Sequence, residues 1–222
     1  MTTYATSFDG TENPLSESGN WLNLLSADTG YAVCASTPGF VHGTQDPATQ
    51  FDSIAVVTGT WATNQDVSAV CQINVGGASR EVELILNCAI TPGSPGSVVM
   101  YEVDWIISGT AHFAIWNGPL QDVTVIGSSV SLGRALVTGD VLRATNVNGL
   151  LTAYLNGTQV LQVTDTVLTG GHPGIGFFDS FGYGGSPTDQ GFSSFSATDG
   201  LGGSSGLQTG GDLSRRRFGR NV

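Results

Sequence analysis

The stretch TAYLNGTQVLQVTD, residues 152–165, predicts a β-hairpin. Apolar and polar residues alternate on both sides of Asn156-Gly157, which is the pattern of a strand with one buried face. Asn-Gly supplies the two residues with positive φ that a type I′ turn requires. The sequence therefore predicts two short antiparallel strands, near 150–156 and 158–164, joined by this turn.

Short β-rich segments separated by turn-forming clusters continue along most of the chain. Thirty-two glycines and eight prolines in 222 residues leave no segment with sustained helical periodicity. The predicted strands lie near residues 3–8, 30–36, 51–61, 66–75, 80–89, 97–107, 110–116, 121–126, 140–147, 150–156, 158–164, 173–178 and 191–198. Many short strands without helices indicate two stacked antiparallel sheets or a barrel, and a single all-β domain can reach this length.

The segment SVVMYEVDWIIS, residues 97–108, divides into two faces because side chains alternate along a strand. The apolar face is predicted to lie in the core and comprises Val99, Tyr101, Val103, Trp105 and Ile107. The other face is mixed and comprises Met100, Glu102, Asp104 and Ile106. A mixed face is expected where the outer side of a sheet meets solvent or a ligand.

The charge distribution excludes several classes of partner. The chain has no lysine, and residues 1–213 contain all eighteen acids but only three arginines, a net charge of −15. A body this acidic is not expected to bind nucleic acid or an anionic membrane through its main surface. No apolar segment approaches the roughly 20 residues that a membrane-spanning helix needs.

The compartment is predicted from the N-terminus and the cysteines. MTTYATSFDG has neither the basic start nor the apolar stretch of a signal peptide, so we expect synthesis and folding in a reducing cytoplasm. Cys34, Cys71 and Cys88 are an odd set without metal-ligand spacing, and each lies in an apolar segment. They are predicted to be small buried hydrophobic residues.

Three segments resemble the concanavalin A-like jelly roll of the lectin/glucanase and laminin-G-like kind. DVLRATNVNGLLTAYLNGTQVLQVTDTVLTGGHPGIGFF (140–178) is similar to the closing half of that fold. YATSFDGTENPLSESGNW (4–21) resembles its entry strand, and GFSSFSATD (191–199) resembles its last strand, which pairs near the first. The resemblance implies a two-sheet antiparallel jelly-roll β-sandwich over residues 1–199, but one fold hosts many functions. Within it, Arg143 is expected near an acid such as Asp165.

The resemblance also implies a catalytic candidate, because glycoside hydrolases of this fold carry E-x-D-x-x-E on one strand. Glu102 and Asp104 match the first two acids, and Ile107 occupies the third position. The missing acid removes the proton donor that the leaving group needs, although Glu81 or Glu83 could supply a partner from another strand. Solvated carboxylates on an outward face are the ordinary interpretation.

A glycan-binding set is the second candidate. His112 and Trp116 share a strand face, and together with Glu102 and Asp104 they would form an aromatic platform with hydrogen-bonding groups for a sugar. Trp116 could equally fill the sandwich core. The fold also hosts polysaccharide lyases, but no recognisable spacing of residues in this sequence supports a lyase site.

No cofactor or firm metal site is predicted, and a structural Ca²⁺ is an open alternative. Jelly rolls resembling this one often hold Ca²⁺ between strand ends, where Asp9, Asp165 or Asp199 would be suitable oxygen ligands.

Residues 200–222 form a Gly/Ser-rich tether followed by a basic tail. The tail could dock on an acidic protein surface, bind nucleic acid or remain free, and its predicted docking residues are Arg215, Arg216, Arg217, Phe218 and Arg220. Proteins that resemble this fold usually work outside cells, and a virion protein would leave the cytoplasm without a secretion signal. We therefore predict a non-enzymatic surface module of a bacteriophage-like particle, such as a capsid decoration or tail appendage. Its expected partners are other structural proteins or copies of itself, and surface polysaccharide. A glycan-cleaving enzyme and a free cytoplasmic lectin are the alternatives.

Overall fold

The computed structural model describes residues 1–24, 31–45, 52–76, 80–90, 98–117, 123–179 and 185–200. Fifteen strands and one 3₁₀ turn, Pro187–Asp189, make up its regular structure in these ranges. The strands are β1 (Thr3–Thr6), β2 (Trp21–Asn23), β3 (Cys34–Thr37), β4 (Phe40–Gly43), β5 (Asp52–Val57), β6 (Gln65–Ile73), β7 (Arg80–Ile90), β8 (Val98–Ile106), β9 (Thr110–Asn117), β10 (Val123–Ser131), β11 (Val141–Val147), β12 (Leu150–Leu155), β13 (Thr158–Thr164), β14 (His172–Asp179) and β15 (Gln190–Asp199).

The strands form two antiparallel sheets, as the sequence predicts. The seven-stranded sheet has the order β10-β9-β8-β7-β14-β5-β2, and the eight-stranded sheet has the order β13-β12-β11-β6-β15-β4-β3. β1 pairs with β15 on the eight-stranded sheet, which brings the first strand beside the last. The two-sheet, all-β architecture is therefore confirmed.

The predicted hairpin has the expected geometry. Asn156 and Gly157 have φ of 51° and 79° and join β12 to β13. A second Asn-Gly pair, Asn148-Gly149, turns the chain from β11 into β12 with φ of 53° and 82°. Both turns place two consecutive residues at positive φ, as a type I′ turn requires.

The main core lies between the sheets and contains the apolar face of β8 predicted from the sequence. Tyr101, Val103 and Trp105 are buried in this core. Ile107, which follows β8, is also buried, whereas Val99 of the same predicted face is only partly buried. All three cysteines are free and buried, which confirms their predicted role as small apolar residues.

Three details differ from expectation. Strands β2 and β4 were not predicted, because their short sequences, WLN and FVHG, show no alternation of apolar and polar residues. The prediction that Arg143 lies near an acid is confirmed, but the acid is not Asp165. Arg143 instead pairs with Asp66 on the neighbouring strand, at 2.7 and 2.8 Å, with its guanidinium over the Tyr154 ring.

The described residues include no helix long and apolar enough to cross a membrane.

Candidate functional site

A carboxylate-lined pocket lies on the outer face of the seven-stranded sheet, and we call it the acid pocket. Glu102 and Asp104 project from β8 on the same face because they are two residues apart. Glu83 lies on β7 directly opposite Asp104, and His112 lies opposite Asp104 on β9. The pocket encloses about 200 Å³ and is lined by Asp52, Glu81, Glu83, Glu102, Asp104, His112, Trp116, Val123 and Phe178.

The carboxylates at its base are almost completely shielded from solvent. Glu83, Glu102 and Asp104 are 2%, 3% and 4% exposed, respectively. The sequence-based interpretation of Glu102 and Asp104 as solvated carboxylates is therefore wrong. Glu81 and His112 are only partly buried and lie closer to solvent. Charged groups are rarely buried without partners, so solvation at the protein surface does not explain the carboxyl groups at the bottom of the pocket.

Hydrogen bonds join some of these groups. His112 Nε2 lies 2.7 Å from Asp104 Oδ2, and the carboxyl groups of Glu83 and Glu102 are hydrogen-bonded to each other. One oxygen of each of the three buried acids has no partner among the described residues, and neither do His112 Nδ1 and Trp116 Nε1. Five of the twelve buried, unpartnered side-chain atoms found in the described ranges thus belong to this one pocket. Such atoms are uncommon in folded proteins and often mark functional sites.

Burial changes the pKa values of the acidic side chains that line the pocket. It raises the pKa of Glu83, Glu102 and Asp52 well above the usual range, and neighbouring carboxylates add to the effect. Burial and then the charge of Asp104 raise the pKa of Glu81 to about 8. The hydrogen bond to Asp104 raises the pKa of His112. Protons can therefore be retained in the pocket at neutral pH, which reduces the repulsion between its acids.

A glycine on β14 provides the space for one of these acids. Gly176 lies opposite Glu83, and a Cβ atom at this position would overlap Glu83 Oε2. Glycine at this position of β14 therefore permits the close approach of the Glu83 side chain.

The structure brings together all four predicted site residues, Glu102, Asp104, His112 and Trp116, in the lining of the acid pocket. The Trp116 ring is 4% exposed and packs on the buried Tyr31, with ring centroids 5.7 Å apart. It therefore does not offer an open stacking platform. It also lies outside the main core, in a second apolar cluster on the outer face of the seven-stranded sheet.

The third position of the hydrolase pattern is not on the acidic face. Ile107 is 1% exposed and, because it alternates with Ile106, lies on the opposite, apolar face. Ile106 lies on the acidic face of β8, and Glu81 is directly opposite it on β7. The neighbouring strand therefore supplies a carboxyl group close to the place where β8 has isoleucine.

Sequence reasoning missed the contribution of Asp52, Tyr31 and Phe178. Asp52, Ile54 and Val56 are two residues apart, and this spacing places all three on one face of β5. That signal could not show that β5 lies one strand away from β7, because the intervening strand, β14, comes more than 80 residues later in the sequence.

The acids considered for Ca²⁺ do not assemble into a cluster. Asp199 accepts hydrogen bonds from the backbone N–H groups of Thr2 and Ala62, the latter at 2.9 Å. Asp165 accepts one from the Tyr101 hydroxyl at 2.5 Å, and Asp9 is exposed beside another groove. Across the described ranges, the one group of potential ligands within 4.8 Å of one another consists of Glu81, Glu83 and Asp104.

The predicted docking residues of the tail lie outside the described residues. This applies to Arg215, Arg216, Arg217, Phe218 and Arg220.

Comparison with known proteins relates the fold to proteins of carbohydrate recognition and cleavage. No family model and no curated sequence matches this chain. The endo-β-1,3-glucanase from Pyrococcus furiosus superposes with a TM-score of 0.61 at 12% identity, over 90% of this chain and 94% of the glucanase. The carbohydrate-binding module CBM66 from Bacillus subtilis gives 0.55 at 14% identity, over 83% and 96%.

A β-agarase A solved with oligoagarose gives a TM-score of 0.59 at 9% identity, over 88% of this chain and 90% of the agarase. Identities this low carry information about the fold and none about activity. The chain therefore has the concanavalin A-like jelly-roll fold, which carbohydrate-binding modules and glucanases share.

Proposed function

We propose that this protein binds carbohydrate in the acid pocket. The observation that carries the proposal is the concentration of buried, unpartnered polar atoms around it. Carboxylate oxygens of Glu83, Glu102 and Asp104 can accept hydrogen bonds, and Trp116 Nε1 can donate one. Sugar hydroxyl groups do both, so one sugar unit could satisfy several of these atoms together.

The character of the lining narrows the ligand. Five carboxyl groups and a single imidazole disfavour anionic sugars, because like charges would meet in a buried site. A volume of about 200 Å³ lies below the roughly 300–1,000 Å³ typical of ligand pockets. We therefore expect contact with one sugar unit, neutral or amino-substituted, rather than with a long polymer segment.

Calorimetric titration with neutral, amino and anionic oligosaccharides tests the proposal. We expect Glu102→Gln and Trp116→Phe to weaken binding by tenfold or more, because the first replaces an acceptor oxygen by a donating NH₂ group and the second removes the Nε1–H donor. Asp9→Asn, at an exposed acid elsewhere, is the control and should leave affinity unchanged. Binding that survives both pocket variants would place the glycan site elsewhere.

Glycoside hydrolysis is a second candidate, and one geometric observation favours it. Ligand oxygens of Glu81 and Asp104 lie within 4.8 Å of each other. Retaining glycosidases hold their two carboxyl groups about 5–5.5 Å apart, one as acid and one as nucleophile. In this chain the pair would span β7 and β8 instead of lying on one strand.

A screen for reducing ends released from polysaccharides tests this candidate. Hydrolysis should be abolished by Asp104→Asn and by Glu81→Gln, while circular dichroism confirms that both variants fold. Binding without product formation on every substrate that binds would contradict the enzymatic role and favour a lectin-like function.

We also propose that the protein acts as a surface module of a virus particle. Support comes from the sequence alone, in which an acidic body of charge −15 is followed by four arginines in the last nine residues. Sedimentation of full-length protein and a variant lacking residues 214–222, each with particles from the native source, tests it. Equal sedimentation of both forms, or of neither, would contradict anchoring through the tail.

A further inference from the structure

We propose that the base of the acid pocket binds a divalent cation, with Ca²⁺ as the best fit, through carboxylate oxygens of Glu81, Glu83 and Asp104. This inference goes beyond carbohydrate binding, and neither proposal depends on the other.

The spacing of the oxygens suits Ca²⁺. One oxygen from each of the three residues lies within 4.8 Å of the other two. Ca²⁺ binds oxygen at about 2.3–2.6 Å, so any two oxygens around one ion lie at most roughly 5.2 Å apart, and the three carboxylates meet this limit. Mg²⁺ is usually held by one or two carboxylates together with bound waters, so a site with three carboxylates favours Ca²⁺.

A neighbouring side chain points to a ligand independently of this cluster. Glu102 is 3% exposed and lines the same pocket, and its Oε1 has no partner in the described part of the chain. The Glu102 carboxyl group is also hydrogen-bonded to Glu83, which itself retains an unpartnered Oε2. The carboxylate oxygens of the cluster would bind the ion directly, and Glu102 would accept a hydrogen bond from a water molecule bound to it.

The charge balance favours a cation. The lining contains five carboxyl groups, no arginine, and His112 as its one basic side chain. Buried carboxylates are normally paired with a cation or coordinate a metal. Binding of a divalent ion would release the protons held in the pocket and compensate two of the carboxylate charges that result.

The ligands are also held in place by the sheet. Glu83 and Asp104 lie directly opposite each other on paired strands, and Glu81 is two residues from Glu83 on the same face. His112 holds the second oxygen of Asp104 at 2.7 Å, so the unpartnered Oδ1 remains available to the ion. Such outer partners commonly orient metal ligands.

Terbium luminescence of the full-length protein, pretreated with EDTA and measured without sugar, provides the test. Tb³⁺ is a probe for Ca²⁺ sites, and Trp116 in the same lining can transfer excitation energy to it. We expect one saturable equivalent of Tb³⁺, displaced by Ca²⁺ at lower concentration than by Mg²⁺. Glu83→Gln and Asp104→Asn should each weaken binding by at least tenfold.

Asp9→Asn is the matched control, since it removes one exposed carboxylate that the sequence also suggested for Ca²⁺. Its affinity should equal that of the wild type. Ca²⁺ should raise the Tm of the wild type but not of Glu83→Gln, because a ligand that binds the folded state stabilises it. Both amides are near-isosteric, and inaccessible cysteines will show that the variants remain folded.

The inference is overturned by absence of a saturable site, by several equivalent weak sites, or by wild-type affinity in both pocket variants. Glycan titration in EDTA keeps the two proposals separate. Sugar binding without Tb³⁺ binding overturns the ion site alone, whereas Tb³⁺ binding without sugar binding supports the ion site and contradicts the carbohydrate proposal.

Discussion

Replacement of Asp140 by Asn should destabilise the protein in a pH-dependent way. Asp140 directly precedes β11, and its carboxylate accepts two hydrogen bonds from Arg134, at 2.7 and 2.8 Å. It also accepts hydrogen bonds from the Val137 N–H at 2.9 Å and from Asn156 Nδ2 at 2.8 Å. This one side chain therefore joins the approach to β11 with the turn between β12 and β13.

The magnitude follows from the ionisation of Asp140. The Arg134 guanidinium, followed by the hydrogen bonds from Val137 and Asn156, lowers its pKa from 3.8 to about 2. Such a shift corresponds to roughly 2.4 kcal/mol at neutral pH. Because the Arg134 side chain is 44% exposed, solvent screens the interaction, and we expect about 1 kcal/mol.

The sign follows from the lowered pKa. The folded state holds its proton less tightly than the unfolded state, so the contribution is complete above about pH 4 and disappears as the pH falls through about 2. Urea denaturation of wild type and Asp140→Asn between pH 7 and pH 2 measures this difference directly. Comparing the two proteins at each pH cancels the titration of the other acids.

Asp9→Asn, at an exposed carboxylate, is the control and should change the free energy of unfolding by less than about 0.5 kcal/mol. A loss at Asp140 that stays constant from pH 7 to pH 2 would refute the electrostatic reasoning. No loss at pH 7 would refute the importance of the hydrogen bonds themselves.

Three further predictions concern packing. Gly174→Ala should cost at least about 2 kcal/mol in urea denaturation, because its Cβ would overlap the carbonyl oxygen of Ala55, whereas Gly170→Ala meets no atom within 4 Å and should be nearly neutral. Leu151→Ala should cost about 2–5 kcal/mol by leaving a cavity in the core, and its neighbour Leu150, 40% exposed, should tolerate alanine with a much smaller change. The thiols should react with a water-soluble thiol reagent only on unfolding, and rapid reaction of the native protein would contradict the burial of Cys34, Cys71 and Cys88.

Local sequence signals predicted much of the fold. The Asn156-Gly157 turn and the two faces of β8 depend on the conformation of adjacent residues and on the two-residue period of a strand. Both were readable without knowledge of any partner strand. The three residues of β2 contain too little pattern to be distinguished from a loop.

The candidate site was predictable only in part. Alternation placed Glu102 with Asp104, and His112 with Trp116, on the correct strand faces. It could not decide whether the carboxylates met water, and the ordinary expectation that they did was wrong. Burial depends on what packs over a sheet face, and that is a property of the whole molecule.

The sequence by itself determined the all-β class, the position of most strands and the residues that face outward from β8, because these follow from local periodicity and turn chemistry. Only the tertiary structure decided that Asp52, Glu83 and Asp104 line one pocket. Asp52 lies on β5, Glu83 on β7 and Asp104 on β8, and β14 lies between β5 and β7 in the sheet. The register of the antiparallel pairs brings these three side chains close together. Register arises from long-range packing, since a shift of one residue would turn every one of these carboxylates to the opposite face.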